Sequence, residues 1–240
     1  MERPHIPRGK PREGDHQADA VMFVELHCHT CYSKDSLMLP ENVLRVCRER
    51  GIDKIAITDH NTIAGALRAV EIEPARVIIG EEIMTSKGEL IAYFVRQEVP
   101  AGLDPEQVIE NLRSQGAFIA VPHPLDRMRG GSWSMEDLES ILPLVDALEI
   151  FNARNWSSKP DRRAAGLAMK ADLLGTAGSD AHSYAEIGRV VMRAPVFHNA
   201  DEMRLALAKA QIVGRRSAPL VHLASRYASF RKSLGWRPPY

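Results

Sequence analysis

The sequence predicts an α/β protein, a (β/α) barrel of about seven strands in a distorted or incomplete form. A phrase of amphipathic helix, glycine, short apolar strand and polar cluster recurs along the middle of the chain, as parallel βαβ units require. The polar clusters His27/His29, His60, Glu82, His123 and Asp180/His182 fall at or just after the C-terminal ends of different strand candidates. In a barrel those ends converge on one face, whereas an open sheet gathers residues mainly around its switch point.

Taken in order, the first strand is Val21-Met22-Phe23-Val24. It leads into Glu25-Leu26-His27-Cys28-His29, with Asp35 six residues beyond. Side chains alternate across a strand, so His27 and His29 share a face and Cys28 takes the other. Two imidazoles side by side on a rigid element suit one divalent metal, although alternating polar residues on a surface strand give the same spacing. Pro40 to Arg50 carries Val43, Leu44, Val46 and Cys47 on one helical face and meets Gly51, an expected C-cap. Lys54 to Thr58 reads as a buried strand entering Asp59-His60-Asn61, with Asp59 a candidate acceptor for a ligand imidazole. Arg76 to Ile79 and Leu90 to Val95 are further strands. Asp104-Pro105 starts a helix that ends at Gly116, and Ala117 to Val121 feeds Pro122-His123-Pro124. After a strand at Ala147 to Phe151, a helix is expected from about Pro160 to Leu174. A short strand at Thr176-Ala177 then enters Gly178-Ser179-Asp180-Ala181-His182, and Arg189 to Arg193 is the last strand candidate.

From Gly214 onward there are Arg215, Arg216, Arg226, Arg231, Lys232 and Arg237 but no Asp or Glu. Leu220, Leu223, Tyr227, Phe230 and Leu234 recur at three- and four-residue steps, predicting an amphipathic helix. Such a helix either docks on the barrel or forms a basic tail that steers polyanions. The expected organisation is a flexible segment over residues 1–20, a barrel over 21–213 and a basic tail over 214–240.

Composition narrows the class. With 240 residues, 45% hydrophobic and 26% charged, the chain has the profile of a soluble globular protein able to bury a core. Lys plus Arg equals Asp plus Glu at 31 each, so the strong basic excess of a dedicated nucleic-acid binder is absent. Three cysteines argue against a disulfide framework and for a reducing compartment. Cys28 and Cys31 lack the second ligand pair of a structural zinc site, so their Cys-x-x-Cys spacing reads as incidental. No signal peptide or membrane-length apolar run is visible, so a cytoplasmic protein without a membrane partner is expected. Five of the nine histidines (27, 29, 60, 123 and 182) sit at strand ends, a placement that points to metal binding.

Taken together, His27-x-His29, Asp35, Thr58-Asp59-His60-Asn61, Gly80-Glu81-Glu82-Ile83, Pro122-His123-Pro124 and Gly178-Ser179-Asp180-Ala181-His182 resemble the PHP (polymerase and histidinol phosphatase) domain over residues 22–212. The run from Leu148 to Asn155 looks like the C-terminal half of stand-alone PHP phosphoesterases. The resemblance implies a single-domain, distorted (β/α)7 TIM-like barrel that hydrolyses phosphate esters with two or three divalent metal ions. Mn²⁺, Fe²⁺ or Zn²⁺ suits the donors better than Mg²⁺. Position by position, it implies one metal on His27, His29, Glu82 and Asp180. A second would share Glu82 and add His123, and a third would take Asp35, His60 and His182. Where many relatives carry a histidine this chain has Glu89, a carboxylate ligand that adds negative charge and could leave a two-metal site.

Clustered cations suit phosphoester hydrolysis because they counter the ester's charge and lower the pKa of a shared water. Glu82, Asp180 and His182 are the implied catalytic groups. Arg154, just past a strand end, is the candidate phosphate clamp, with Arg127 and Arg129 as further candidates. Trp156 is a candidate for stacking on a base or capping the pocket. The expected activity is a metal-dependent phosphoesterase acting on a small phosphomonoester or nucleotide. Its alternatives are a 5′–3′ exonuclease or oligoribonuclease engaging RNA or DNA ends through the tail, a non-catalytic metal-binding scaffold, and an amidohydrolase-type C–N or lactone hydrolase.

Overall fold

Local signals set the helix ends in the computed structural model, which describes residues 20–129 and 131–239. The Asp104 side chain accepts from the Glu106 amide (3.2 Å) and the Gln107 side chain from the Asp104 amide (3.2 Å), a reciprocal cap behind Pro105. Gly51 ends the first helix with φ 70°, a left-handed conformation that glycine adopts without cost. The strands are β1 (Val21–Glu25), β2 (Lys54–Ile57), β3 (Val77–Met84), β4 (Glu89–Tyr93), β5 (Phe118–Val121), β6 (Ala147–Asn152), β7 (Leu174–Gly178), β8 (Val190–Pro195) and β9 (Gln211–Gly214). The helices are α1 (Pro40–Arg50), α2 (Ala64–Ile72), α3 (Pro105–Ser114), α4 (Met135–Ile141), α5 (Ser158–Lys170), α6 (Ala200–Leu207) and α7 (Val221–Ser233). The helix expected to reach Leu174 stops at Lys170; Asp172 turns the chain at φ 54° and Leu174 opens β7. The expected N-terminal segment lies, except for Ala20, outside the described residues.

All nine strands form one curled sheet in the order β7-β6-β5-β4-β3-β2-β1-β8-β9. The expectation of parallel units is correct for β1/β2, β2/β3, β5/β6 and β6/β7, but β3/β4, β4/β5, β1/β8 and β8/β9 are antiparallel. The reason at β4 is length: only residues 85–88 join it to β3, and a parallel crossover needs a dozen or more. Reversal has a functional consequence. The first residue of β4, Glu89, now lies beside the C-terminal ends of its neighbours.

The sheet closes at the same end. Beyond β1 and β7 the chain pairs Cys28 with Ala181, through His29 N to Ala181 O (2.9 Å) and Ala181 N to His27 O (3.2 Å). Buried Glu25 secures the seam, accepting from the amides of Ser179 (2.8 Å), Gly188 (3.0 Å) and His27 (3.2 Å) and from the Ser179 hydroxyl. Ser179 Oγ in turn accepts from Val190 N (3.0 Å), joining β7 to β8. The barrel interior holds Met22, Val24, Ile91, Tyr93 and Phe118, and α6 packs Ala200, Met203 and Leu207 into the same cluster. No helix among the described residues is long and apolar enough to cross a membrane.

The tail carries a helix with an unexpected orientation. Leu223, Tyr227 and Phe230 face outward, each more than half exposed, while Ala228 is buried. Polar contacts hold the other face: Lys232 donates to the carbonyls of Cys31 (2.6 Å) and Ser33, and Ser225 accepts from Arg154 (2.9 Å).

A Cβ on Gly178 would overlap the Cβ of His27 and press on its backbone nitrogen. Gly178→Ala is therefore expected to destabilise the protein by about 1–3 kcal/mol in urea unfolding. Cys28, Cys31 and Cys47 are buried and in no disulfide, and burial pushes the Cys47 thiol up to about 12. The native protein is therefore expected to leave a disulfide reagent untouched at pH 8, and the unfolded protein to titrate all three thiols.

Candidate metal centre

Strand ends deliver the candidate ligands to one floor. Glu82, in the interior of β3, is 1% exposed and sits among four imidazoles. Its Oε1 lies 3.0 Å from His123 Nε2 and 3.5 Å from His27 Nε2, and its Oε2 lies 3.3 Å from His29 Nε2 and 3.1 Å from His60 Nδ1. Asp180 Oδ1 lies 3.3 Å from His29 Nε2 and 3.7 Å from His27 Nε2. Glu89 stands 3.8 Å from both His60 Nδ1 and His123 Nε2. Asp35 Oδ2 lies 3.2 Å from His182 Nε2 and 3.5 Å from His60 Nε2. His60 thus links the Asp35 pair to Glu82 and Glu89, so the third ligand set joins the other two. His123 and Asp180 hold left-handed backbone (φ 29° and 51°), a conformation that non-glycine residues keep only where the surroundings impose it.

Whether cations fit can be read from the atoms left over. His27 Nε2, His29 Nε2 and Glu82 Oε2 are buried without a hydrogen-bond partner and converge. Their far sides are occupied. His27 Nδ1 donates to Glu149 Oε1 (3.0 Å). Ser33 Oγ uses its proton on Asp59 Oδ1 (2.6 Å), so the contact at 3.1 Å makes His29 Nδ1 the donor. Each Nδ1 is thus engaged and each Nε2 is aimed inward, the orientation a metal ligand needs. Burial and the neighbouring His182 and His60 lower His29 to about 3, keeping it neutral. For His27 burial is outweighed by Asp180, Glu82 and Glu149, which raise it well above the ordinary range. A cation would take over that proton's role. The set of imidazoles and carboxylates without thiolate fits Mn²⁺, Fe²⁺ or Zn²⁺.

A cavity of about 380 Å³ opens above this floor, lined by Asp35, His60, Glu89, His123, Asp180 and His182 below and by Arg129, Arg154, Trp156 and His222 above. A larger cleft of about 950 Å³ lies at the opposite end of the barrel, lined by Val21, Val77, Phe94 and Asn199, away from the cluster. Arg154, the candidate clamp, borders the cavity but is largely engaged. Its guanidinium contacts Glu186 Oε1 (3.6 Å), Asp180 O (3.4 Å), Ser225 Oγ (2.9 Å) and His222 Nδ1 (3.4 Å), leaving one N–H on Nη1. Arg129 donates to Asp126 Oδ2 (3.1 Å), Asn152 Oδ1 (3.2 Å) and Asp180 Oδ2, and keeps two N–H groups. Arg127 is exposed and does not line the cavity.

Residues 25–114 match the family model described as PHP domain, and residues 160–212 match the one described as PHP-associated. The chain belongs to the PHP domain family. Uncharacterized protein MJ1587 of Methanocaldococcus jannaschii is 38% identical over 146 residues, covering 55% of this PHP chain and 82% of that protein. Among solved structures, a two-domain protein from Bacteroides vulgatus containing a predicted PHP-like metal-dependent phosphoesterase superposes with TM-score 0.69. It is 17% identical, over 90% of this chain and 69% of that one. The lesion-specific endonuclease EndoQ from Pyrococcus furiosus superposes with TM-score 0.61 at 16% identity, over 83% and 60% of the two chains. At such identities these likenesses establish the PHP fold.

Behind the floor of this PHP site stand groups that the sequence reading did not single out. Glu149 orients His27 through Oε1, while its Oε2 accepts from His123 N (2.8 Å) and Asn152 Nδ2 (2.8 Å). A carboxylate inside the apolar run of β6 was its available signal. Ser33 relays Asp59 to His29 and accepts from His60 N (3.0 Å), and no local pattern marks it. Asp59, the candidate acceptor for a ligand imidazole, reaches His29 through Ser33 and also accepts from Thr30 N (2.6 Å) and Thr30 Oγ1 (2.5 Å). Glu149→Gln would set an amide donor against donors; metal affinity is expected to fall about 10- to 100-fold by competition titration, with the circular dichroism unchanged.

Proposed function

We propose that this PHP protein hydrolyses phosphate monoesters with divalent metal ions held on the Glu82 floor. The observation that carries the reading is the convergence of unpartnered His27 Nε2, His29 Nε2 and Glu82 Oε2 beneath a cavity walled by two arginines. His27, His29, Glu82 and Asp180 would hold one ion, Glu82, Glu89, His60 and His123 a second, and Asp35 with His182 a third. Divalent ions bound there supply charge neutralisation for the ester and activation of water. The chain's own groups do the rest. Arg129 and the spare N–H of Arg154 offer planar donors to the non-bridging oxygens and fix the phosphate over the floor. Asp180 is fixed by its Oδ2 bonds to Arg129 and Asn152 Nδ2 (3.2 Å), so only Oδ1 faces the imidazoles. His182 is fixed by its Nδ1 bond to Asp180 O (2.9 Å), which directs Nε2 at Asp35 and into the cavity.

A second reading, cleavage at RNA or DNA ends, draws on α7. This basic helix meets the cavity rim through Ser225 and His222, where a polyanion would approach. The scaffold alternative is disfavoured by the number of candidate ligands that converge.

Purified protein supplied with Mn²⁺, Fe²⁺ or Zn²⁺ is expected to hydrolyse p-nitrophenyl phosphate, and a chelator to stop it. Asp180→Ala is expected to reduce the rate to that of the chelated protein while the fold persists. A metal-loaded protein inert towards all monoesters but active on amides would overturn the reading.

A further inference from the structure

The rim of the cavity carries a feature that phosphate chemistry does not need. Trp156, in the loop between β6 and α5, is 60% exposed, yet its ring is stacked on His222 of α7 with centroids 4.8 Å apart and planes 1° from parallel. His222 is itself fixed. Its Nδ1 lies 3.4 Å from Arg154 Nη2, so the neutral ring accepts from the guanidinium. Burial and the adjacent Arg154 and Arg129 hold His222 below its ordinary pKa, consistent with that role. One face of Trp156 is therefore backed by a rigid ring while the indole stays open to solvent and borders the cavity.

Arg154 sets the spacing. Its Nη1 contacts Asp180 O on the floor and its Nη2 contacts His222 at the rim, so one guanidinium separates the phosphate locus from the aromatic stack. A sugar spans a gap of that kind between a phosphate and a flat base. The cavity, about 380 Å³, falls at the lower end of small-ligand sites, which begin at about 300 Å³.

We propose that the Trp156–His222 stack is a nucleobase platform, so that the ester this protein takes is a nucleotide, free or at a chain end. The proposal rests on the phosphomonoesterase reading for the phosphate and on the rim geometry for the base. Every base presents a π-face, so the platform selects for a base without selecting its identity. The competing role for the stack is to fasten α7 to the barrel.

The test compares AMP with ribose 5-phosphate, which carries the same phosphate and sugar without the base, on the Mn²⁺-loaded protein. Stacking contributes about 1–3 kcal/mol per base, so kcat/KM for AMP should exceed that for ribose 5-phosphate about 5- to 150-fold, mainly through KM. In Trp156→Ala the ratio should collapse towards one, and in Trp156→Phe it should largely return. Parallel assays with a 5′-phosphorylated dinucleotide assign the base to a free nucleotide or to a chain end. An independent readout is tryptophan fluorescence. AMP, and not ribose 5-phosphate, should quench it, and Trp156→Phe should remove the quenching.

A fastening role predicts equal kcat/KM for the two esters or a ratio that survives Trp156→Ala, and either result overturns the proposal. Absence of quenching by AMP overturns it as well. If neither ester is hydrolysed while AMP still quenches through Trp156, the platform stands and the phosphatase reading fails.

Discussion

The constraint on which the rest of this molecule depends is a carboxylate that water does not reach. Glu82 is buried at the centre of the barrel mouth, and burial alone would favour its neutral form. The surrounding imidazoles, His27 and His60 foremost, instead hold it well below the usual carboxylate range. Asp180 is likewise held ionised, against burial, chiefly by Arg129 and His27. Buried anions persist only when paired, and neutral imidazoles such as His29 cannot pair them. Divalent cations held there would supply that pairing. They would bind the inward-facing Nε2 atoms and the carboxylates together, taking over the role of the protons on His27 and His60.

The architecture follows from that need. The donors come from β1, β2, β3, β4, β5 and β7, and they meet only if the sheet curls until its ends join. Closure is made at the floor itself, where His27 and His29 lie on one side of the Cys28–Ala181 bridge and Asp180 and His182 on the other. Closing the barrel and assembling the centre are thus one event. Glycine at 178 is part of it, because only a residue without a side chain lets β7 pass the His27 backbone so closely.

Much of this was legible in the sequence, for identifiable reasons. Strand-end placement of His27, His29, His60, His123 and His182 is a local pattern, since strand periodicity and the polarity jump both lie within a few residues. The helix caps at Asp104 and Gly51 are local in the same sense. What escaped depends on contacts distant in sequence. Glu149 meets His27 across 122 residues, and Arg154 meets Ser225 across 71. The direction of β4 depended on counting its short link, not on its apolar run. The outward apolar face of α7 defeats periodicity altogether, because the pattern gives the face but not which side the barrel holds.

Glu89 shows how one departure is accommodated. A histidine there would be a neutral donor, whereas a carboxylate beside Glu82 adds like charge, and burial together with Glu82 raises Glu89 to about 7. His123, His60 and Arg129 act in the opposite direction. Arg129 also grips Asp180, so one guanidinium offsets charge at both edges of the floor. Near neutrality Glu89 is poised between proton and cation, and an arriving cation would displace the proton. The substitution therefore keeps a donor in place while tying the second half of the proposed centre more closely to metal occupancy. Arg129, from the loop that follows His123, offsets the added charge and keeps N–H groups that would meet the phosphate of the proposed substrate.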